Sequence, residues 1–382
     1  MSNLRRFALL LPFAAAAFFP FGCSKDVIIG AVISESGSVE KYGGYVKKGM
    51  DLALEEINAS GGVNGGTVTL IYRDDATNAN RGTQVTTELI EEEGINVIIG
   101  AVSSPVTLAI APICEKAGVV LLSPTSSANS ISDAGDWIWR NYPADQIEGT
   151  AMAKFAKEEV GAERVVIFSL KGTWGHGLSD VFTSQYEGRF RKVEKRFEFD
   201  ESTMDQLAGW VEEAKAMEPD AVYVVAYDRE LIQLLQLFDD AGLDAVLMST
   251  AAVTADIGRR AGASAENMVY PQIVLDLESK EPAVERFISA YRAKYGEDPE
   301  IFAAHGYDAV KLVVEAIRTA GSTHPRSIRQ GLSGIENFDG AAGRTSFDSN
   351  GDVVRYPRIF IVRGGTPMPY DKLKDQGGSL FD

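Results

Sequence analysis

The chain runs to 382 residues, 45% hydrophobic and 24% charged, a globular balance that suffices for two domains with real cores. A formal net charge of -17 argues against a nucleic-acid partner, because holding phosphates needs a basic surface. The two cysteines, Cys23 and Cys114, supply no disulfide framework once the first is set aside for modification.

Residues 1–22 read as a signal peptide rather than as structure. Arg5 and Arg6 open it, and the apolar run from Phe7 to Phe21 is too short for a comfortable membrane span. Gly22-Cys23 then meets the polar Ser24-Lys25-Asp26. The arrangement resembles a bacterial lipoprotein signal with Cys23 as the lipidated first residue of the mature chain. Pro20 and Phe21 depart from that pattern, and a simple secretory signal cut nearby is the alternative. Either places the mature chain in the periplasm or on the extracellular face, with lipid as its only tie to the membrane.

Val27 to Ile33 has strand character and is followed by a polar loop to Gly44. Val46, Met50, Ala53, Leu54 and Ile57 mark one helix face, which Gly61-Gly62 ends. Thr67 to Tyr72 is the next strand and Gln84 to Glu93 a helix. Asn96 to Gly100 then reads as a strand buried on both faces. Ser104 is a good N-cap, with Pro105 at a first helical position where a missing N–H costs nothing. Val106, Ile110, Ile113 and Ala117 repeat at helical spacing until Gly118, which makes Cys114 a buried small hydrophobe. Val119 to Leu122 is a second buried strand, ending in Ser123-Pro124-Thr125-Ser126-Ser127.

In an open parallel sheet both of these strand ends face one crevice, where ligands bind. The N–H groups of the Pro105 helix and the hydroxyls of Ser103, Ser104, Thr125, Ser126 and Ser127 are thus placed to converge on one small anion, a carboxylate above all. The same residues also serve simply to cap a helix and make a turn.

The alternation restarts after Asp145. Strands are expected at Arg164 to Ser169, Val193 to Phe199, Ala221 to Ala226 and Ala245 to Ser249, with helices between them. A connecting strand falls at Met268 to Pro271. Helices cover Ala283 to Tyr295, Phe302 to Ala320 and His324 to Ser333. Gly343 to Arg363 reads as a hairpin turning at Asn350-Gly351, and Gly364 to Asp382 as a loose tail. Two copies of one α/β plan imply two lobes facing each other.

Motifs that carry chemistry are scarce. His176, His305 and His324 show no metal-ligand spacing, and neither a Walker loop nor a GxSxG elbow occurs. Adjacent Asp74 and Asp75 point to opposite faces of extended chain and cannot act as an acid/base pair. Asp348-Ser-Asn-Gly-Asp352 lacks the remaining ligands of a calcium loop and suits a hairpin turn. No catalytic set, metal or cofactor is expected.

Several ordered segments carry a resemblance: Ser36-Gly-Ser-Val-Glu-Lys-Tyr-Gly43, Glu56-Ile-Asn-Ala-Ser-Gly-Gly-Val-Asn-Gly65, Asp74-Asp75, Gly100 through Ser127, Gly175 to Gly177 and Phe347-Asp-Ser-Asn-Gly351. Over nearly the whole mature chain the sequence resembles the periplasmic binding proteins of branched-chain amino-acid ABC importers, the Leu/Ile/Val-binding family. The resemblance implies a type I periplasmic-binding-protein fold, two Rossmann-like α/β lobes joined by three crossovers. Lobe one would take residues 26–144 and 271–340, lobe two 145–270 and 341–365, with a tail over 366–382. The crossovers would fall near Pro143-Asp145, Tyr270-Gln272 and Gly340-Gly343.

The resemblance further implies a ligand carboxylate on Ser104 and on Thr125, Ser126 and Ser127, with Val102 and Ser103 beside them. An amine would lie near Thr125 and Ser127, and Tyr42, Trp174, Tyr227 and Tyr307 would form aromatic walls. It implies a monomer that binds by closing its lobes, does not turn its ligand over, and docks on importer permease subunits. A ligand-sensing receptor or regulator of the same fold is the alternative, and an enzyme a weaker one. One departure matters: where amino-acid-binding members place Glu or Asp, this chain has Ala251. A buried ammonium with no carboxylate nearby is costly. Either Asp228, next to Tyr227, takes that role, or the ligand is an amine-free aromatic or keto acid that suits the flat Trp174.

Overall fold

The computed structural model describes residues 26–380, so the signal segment and Cys23 lie outside the described residues. Lobe one is built on a fully parallel sheet ordered β2-β1-β3-β4-β5. Its strands are β1 (Val27–Ile33), β2 (Val68–Asp74), β3 (Val97–Gly100), β4 (Val120–Ser123) and β5 (Ile138–Arg140); helices α1 (Glu40–Ala59), α2 (Ala79–Glu91) and α3 (Ser104–Ala117) link the first four. Parallel neighbours need a crossover, and a helix laid on the sheet face supplies it. Both β3 and β4 are buried at every position because helices cover both faces of this sheet.

The chain then crosses into lobe two as α4 (Asp145–Phe155), β6 (Arg164–Leu170), α5 (Thr173–Tyr186), β7 (Lys192–Phe199), α6 (Leu207–Ala216), β8 (Ala221–Val225), α7 (Asp228–Ala241), β9 (Val246–Met248), α8 (Ile257–Ala261) and β10 (Val269–Gln272). It returns to pack on lobe one as α9 (Pro282–Tyr295), α10 (Ile301–Ala320) and α11 (Pro325–Ser333), followed by a ribbon of β11 (Phe338–Gly340) and β12 (Gly343–Thr345). A third crossing leads to β13 (Arg358–Arg363), β14 (Thr366–Pro369) and α12 (Tyr370–Asp375). The second sheet is ordered β14-β13-β10-β9-β8-β6-β7, and only β13 runs against the rest, pairing antiparallel with β10 and with β14.

Three expectations about the last 40 residues are corrected. Asn350-Gly351 does turn the chain, but joins no pair of strands: β12 pairs with β11, and β13 pairs with β10. The Asp348 carboxylate holds that turn by accepting the N–H groups of Asn350 and Asp352. Fully buried Arg140 then docks the turn on β5 through Asp352, at 2.6 Å from Nε. Consequently the chain stays with lobe one well past 341 and rejoins the second sheet at Arg358. The hairpin forms later, between β13 and β14, through Gly364-Gly365 with φ of 56° and 72°. That is the left-handed pair a two-residue turn demands. Residues 366–380 are therefore no loose tail, since Tyr370 packs edge-on against Phe155 at 5.1 Å and Leu380 is buried.

The long helices α1 and α10 touch backbone to backbone. A Cβ on Gly49 would overlap the Ala303 carbonyl oxygen, and one on Gly306 the Val46 carbonyl oxygen. This contact seats α1, and with it Lys41 and Tyr42, at the edge of the gap between the lobes. Gly306→Ala is expected to destabilise the protein by roughly 1–3 kcal/mol, because backbone, unlike a side chain, has little room to yield. Urea titration measures this as a lower midpoint at unchanged slope. An unmoved midpoint would show slack between α1 and α10.

Candidate functional site

The ends of β3 and β4 lie side by side, and the turns that follow them meet. Helix α3 starts at Ser104, one residue earlier than expected, with Ser103 as its cap residue. Relieved of capping, the Ser104 hydroxyl oxygen accepts the backbone N–H groups of Ser127 and Ala128, both at 3.2 Å. A hydroxyl has two lone pairs and one proton, so Ser104 has its proton left to offer. Thr125 is in the opposite state. Its hydroxyl donates to the Val102 carbonyl oxygen at 2.8 Å, which leaves it only acceptor capacity.

These groups line a small cavity between the lobes. Lobe one contributes Val102, Ser104, Thr125 and Ser127, with Tyr42 from α1 and Phe302 from α10; Tyr142 comes from the first crossover. Lobe two contributes Trp174, Tyr227, Ala251, Ala252 and Glu148. Trp174 and Tyr227 stack at 4.7 Å and 11° into one flat wall. Tyr42 leans on Tyr227 at 5.6 Å and on the Phe302 edge at 5.1 Å. Such offset and edge contacts hold the rings in place while their remaining faces stay apolar.

Two acids stand on the lobe-two side, Glu148 lining the cavity and Asp145 buried beside it. Asp145 and Glu148 lie three residues apart in the first turn of α4, hence on one face. Glu148 Oε1 accepts the Ala251 N–H at 3.0 Å. Burial pushes the Glu148 carboxyl up to about 8, with the neighbouring Asp145 charge adding to it. Burial likewise lifts Asp145 to about 7, although Ser127, Arg140 and Trp174 favour its charged form. Among the described residues no lysine or arginine lines this cavity.

Several expectations change here. Tyr307 is not a wall residue: it sits five residues after Phe302, about 140° further round the helix, and so faces α1 and α9. Its hydroxyl meets Glu56 at 2.5 Å and its ring packs on Phe287 at 5.0 Å. Ser126 braces the turn from beneath, 2.7 Å from the Thr107 hydroxyl. Ser103 lines a neighbouring groove beyond the Trp174 and Tyr227 wall. Asp228 does not take the role of the acid missing at Ala251. It is already held by Lys41 at 2.9 Å, Arg260 at 2.5 Å and Thr254 at 2.5 Å, outside the cavity. Sequence reasoning missed Glu148, Tyr142 and Phe302. Glu148 carried one legible signal, its place one turn into a helix that begins at a crossover.

The model of the periplasmic binding protein family matches residues 26–366. The chain belongs to that family. It is 27% identical to the leucine-, isoleucine-, valine-, threonine- and alanine-binding protein of Pseudomonas aeruginosa, over 91% of this chain and 93% of that one. Among solved structures it superposes on the branched-chain amino-acid transporter substrate-binding protein LivJ of Streptococcus pneumoniae in complex with isoleucine. There the TM-score is 0.82 at 26% identity, covering 90% of this chain and 98% of LivJ. A solute-binding protein of R. palustris in complex with benzoate shares the fold, with a TM-score of 0.82 at 20% identity over 91% and 96% of the two chains. Among the described residues no helix is long and apolar enough to cross a membrane.

In this periplasmic binding protein the lobes are also tied outside the cavity. Lys41 Nζ of lobe one reaches Asp228 at 2.9 Å, Asp256 at 2.8 Å and the Thr254 hydroxyl at 2.8 Å, all in lobe two. The Tyr42 hydroxyl donates to the Ala252 carbonyl oxygen at 2.8 Å and accepts the Asp228 N–H at 3.1 Å. The Glu300 carboxylate, from the residue before α10, accepts the Ala255 N–H at 3.2 Å. Lys41→Ala leaves Asp228 paired with Arg260, so it is expected to weaken the closed arrangement by about 1–2 kcal/mol. Small-angle scattering of the ligand-free variant should give a larger radius of gyration than the parent; equal radii would mean Lys41 holds nothing shut.

Burial also raises Glu300 to about 7 and Asp308 to about 6. A carboxyl whose folded pKa exceeds its unfolded value binds more protons when folded, so its contribution is lost as pH rises through the folded value. The ligand-free protein is therefore expected to lose stability from about pH 5 to pH 8, on the order of a few kcal/mol in all. Melting temperatures across that range test it, and Glu148→Gln should flatten the upper part of the profile.

Proposed function

We propose that this protein captures a small carboxylate with an apolar body and delivers it to the permease subunits of an importer of the branched-chain amino-acid type. The observation that carries this reading is the Ser104 hydroxyl, whose lone pairs are filled by two N–H groups and whose proton is left to donate. Ser127 stands beside it, and the flat Trp174–Tyr227 wall with Phe302 and Tyr142 offers an apolar enclosure for the rest of the guest. Capture works by preferential affinity: the guest touches both lobes only when they are closed, so it shifts the population to the closed form. The relatives' ligands, isoleucine in one and benzoate in another, share a carboxylate and an apolar body. The protein works outside the cytoplasm as a monomer, tethered through lipid on Cys23.

A panel of small hydrophobic amino acids, keto acids and aromatic acids, titrated by calorimetry, tests the reading. At least one should bind, and Ser104→Ala should weaken it by roughly 1–3 kcal/mol, the cost of an unmet carboxylate lone pair in a dry cleft. Unchanged affinity in that variant would remove the anion from the β3 and β4 turns.

A further inference from the structure

Taking that carboxylate reading as its premise, we propose that Glu148 selects for a guest bearing an amine. Its carboxyl holds a proton while the cleft is empty and yields it to solvent when an ammonium group arrives.

The first support is the sorting of hydrogen-bond roles. The Ser104 hydroxyl is a donor to the cavity and the Thr125 hydroxyl an acceptor. An amine-free acid offers an acceptor to the first and nothing to the second, whereas an amino acid offers a donor to the second. The second support is the place of Glu148. It lines the cavity and grips the N–H of Ala251, the position that itself brings no carboxylate. Lobe two thus supplies an acid from a different element, α4 instead of the turn after β9.

The third support is what surrounds it. Asp145 shares its helix face, buried beside Ser127 and Trp174, and the Tyr223 hydroxyl from β8 lacks a hydrogen-bond partner among the described residues. Tyr142 from the crossover and Trp174 from α5 also border the acids. The cation of this group, Arg140, is already committed to Asp352, Ser132 and the Ala128 carbonyl. The Ala251 turn presents only its N–H. A bare carboxylate placed beside the two acids finds no free cation and meets repulsion once they ionise, while an ammonium meets the charge it lacks. Burial already favours the protonated form of Glu148 in the empty cleft, so the entering ammonium displaces a proton.

The sign of the proton exchange separates the possibilities. An ammonium guest favours ionised Glu148, so affinity rises with pH up to about 8 and then levels, with proton release. An amine-free acid favours the protonated form, so affinity holds up to about 8 and falls above it, with proton uptake. The test uses the full mature protein, stripped of ligand by unfolding and refolding. Leucine, phenylalanine and their 2-oxo acids are titrated at neutral pH in two buffers of different ionisation enthalpy.

The expected result is that an amino acid binds at least tenfold more tightly than its 2-oxo acid and releases up to about one proton. Glu148→Gln should abolish the release and cut amino-acid affinity by roughly 10- to 100-fold, with the 2-oxo acid little changed. Tighter binding of the 2-oxo acid without proton release overturns the inference, as does an unchanged amino-acid preference in Glu148→Gln. Should that variant fail to fold, the proton count on the parent protein decides between the two guests by itself. If a 2-oxo acid binds and loses affinity in Ser104→Ala, the carboxylate reading survives the loss of this one. If no member of the panel binds, both fall.

Discussion

The arrangement at the centre of this protein depends on one oxygen. Ser104 accepts the N–H groups of Ser127 and Ala128, and so fastens the turn after β3 to the turn after β4. An ordinary capping serine would have spent that oxygen on its own helix, but Ser103 takes the cap position instead. The consequence is chemical as well as structural. A hydroxyl that has accepted twice is a donor toward anything that follows, and it is a donor held in a fixed direction. Buried hydrogen bonds of this kind are costly to leave half made, which keeps the two turns in register.

Lobe two is the opposite case. Its floor carries acids that burial holds in their neutral range, at a cost in stability that the folded protein bears while the cleft is empty. On the amine reading proposed above, the charge that relieves this cost is the one the ligand brings. The two lobes therefore offer different chemistry: lobe one a neutral set of hydroxyls and N–H groups, lobe two latent negative charge behind a flat aromatic wall.

Closure rests on contacts that do not involve the cavity at all. Lys41, Tyr42 and Glu300 each reach across to lobe two, and all three stand on helices whose seating depends on the glycine contact between α1 and α10. The gap is therefore bridged from a rigid platform on the lobe-one side. Asp228 belongs to this bridge. Its double pairing with Lys41 and Arg260 is why it has nothing to give a ligand.

The sequence by itself determined the layers, because buried parallel strands and amphipathic helices leave periodic apolar patterns that Asn96 to Gly100 and Val119 to Leu122 show plainly. It also determined that Ser104, Thr125 and Ser127 would end up together, since turns after adjacent parallel strands share one sheet edge. Tertiary structure alone decided which groups face the gap. Phe302 and Tyr307 differ only by their angle round α10, and Glu148 faces the cavity because of how α4 leaves the crossover. It alone decided that Asn350-Gly351 turns a loop while Gly364-Gly365 turns a hairpin, because pairing depends on which strand is near and not on the turn residues. Local pattern encodes what a segment is; the rotation of a helix and the partner of a strand are settled only when distant segments compete for the same space.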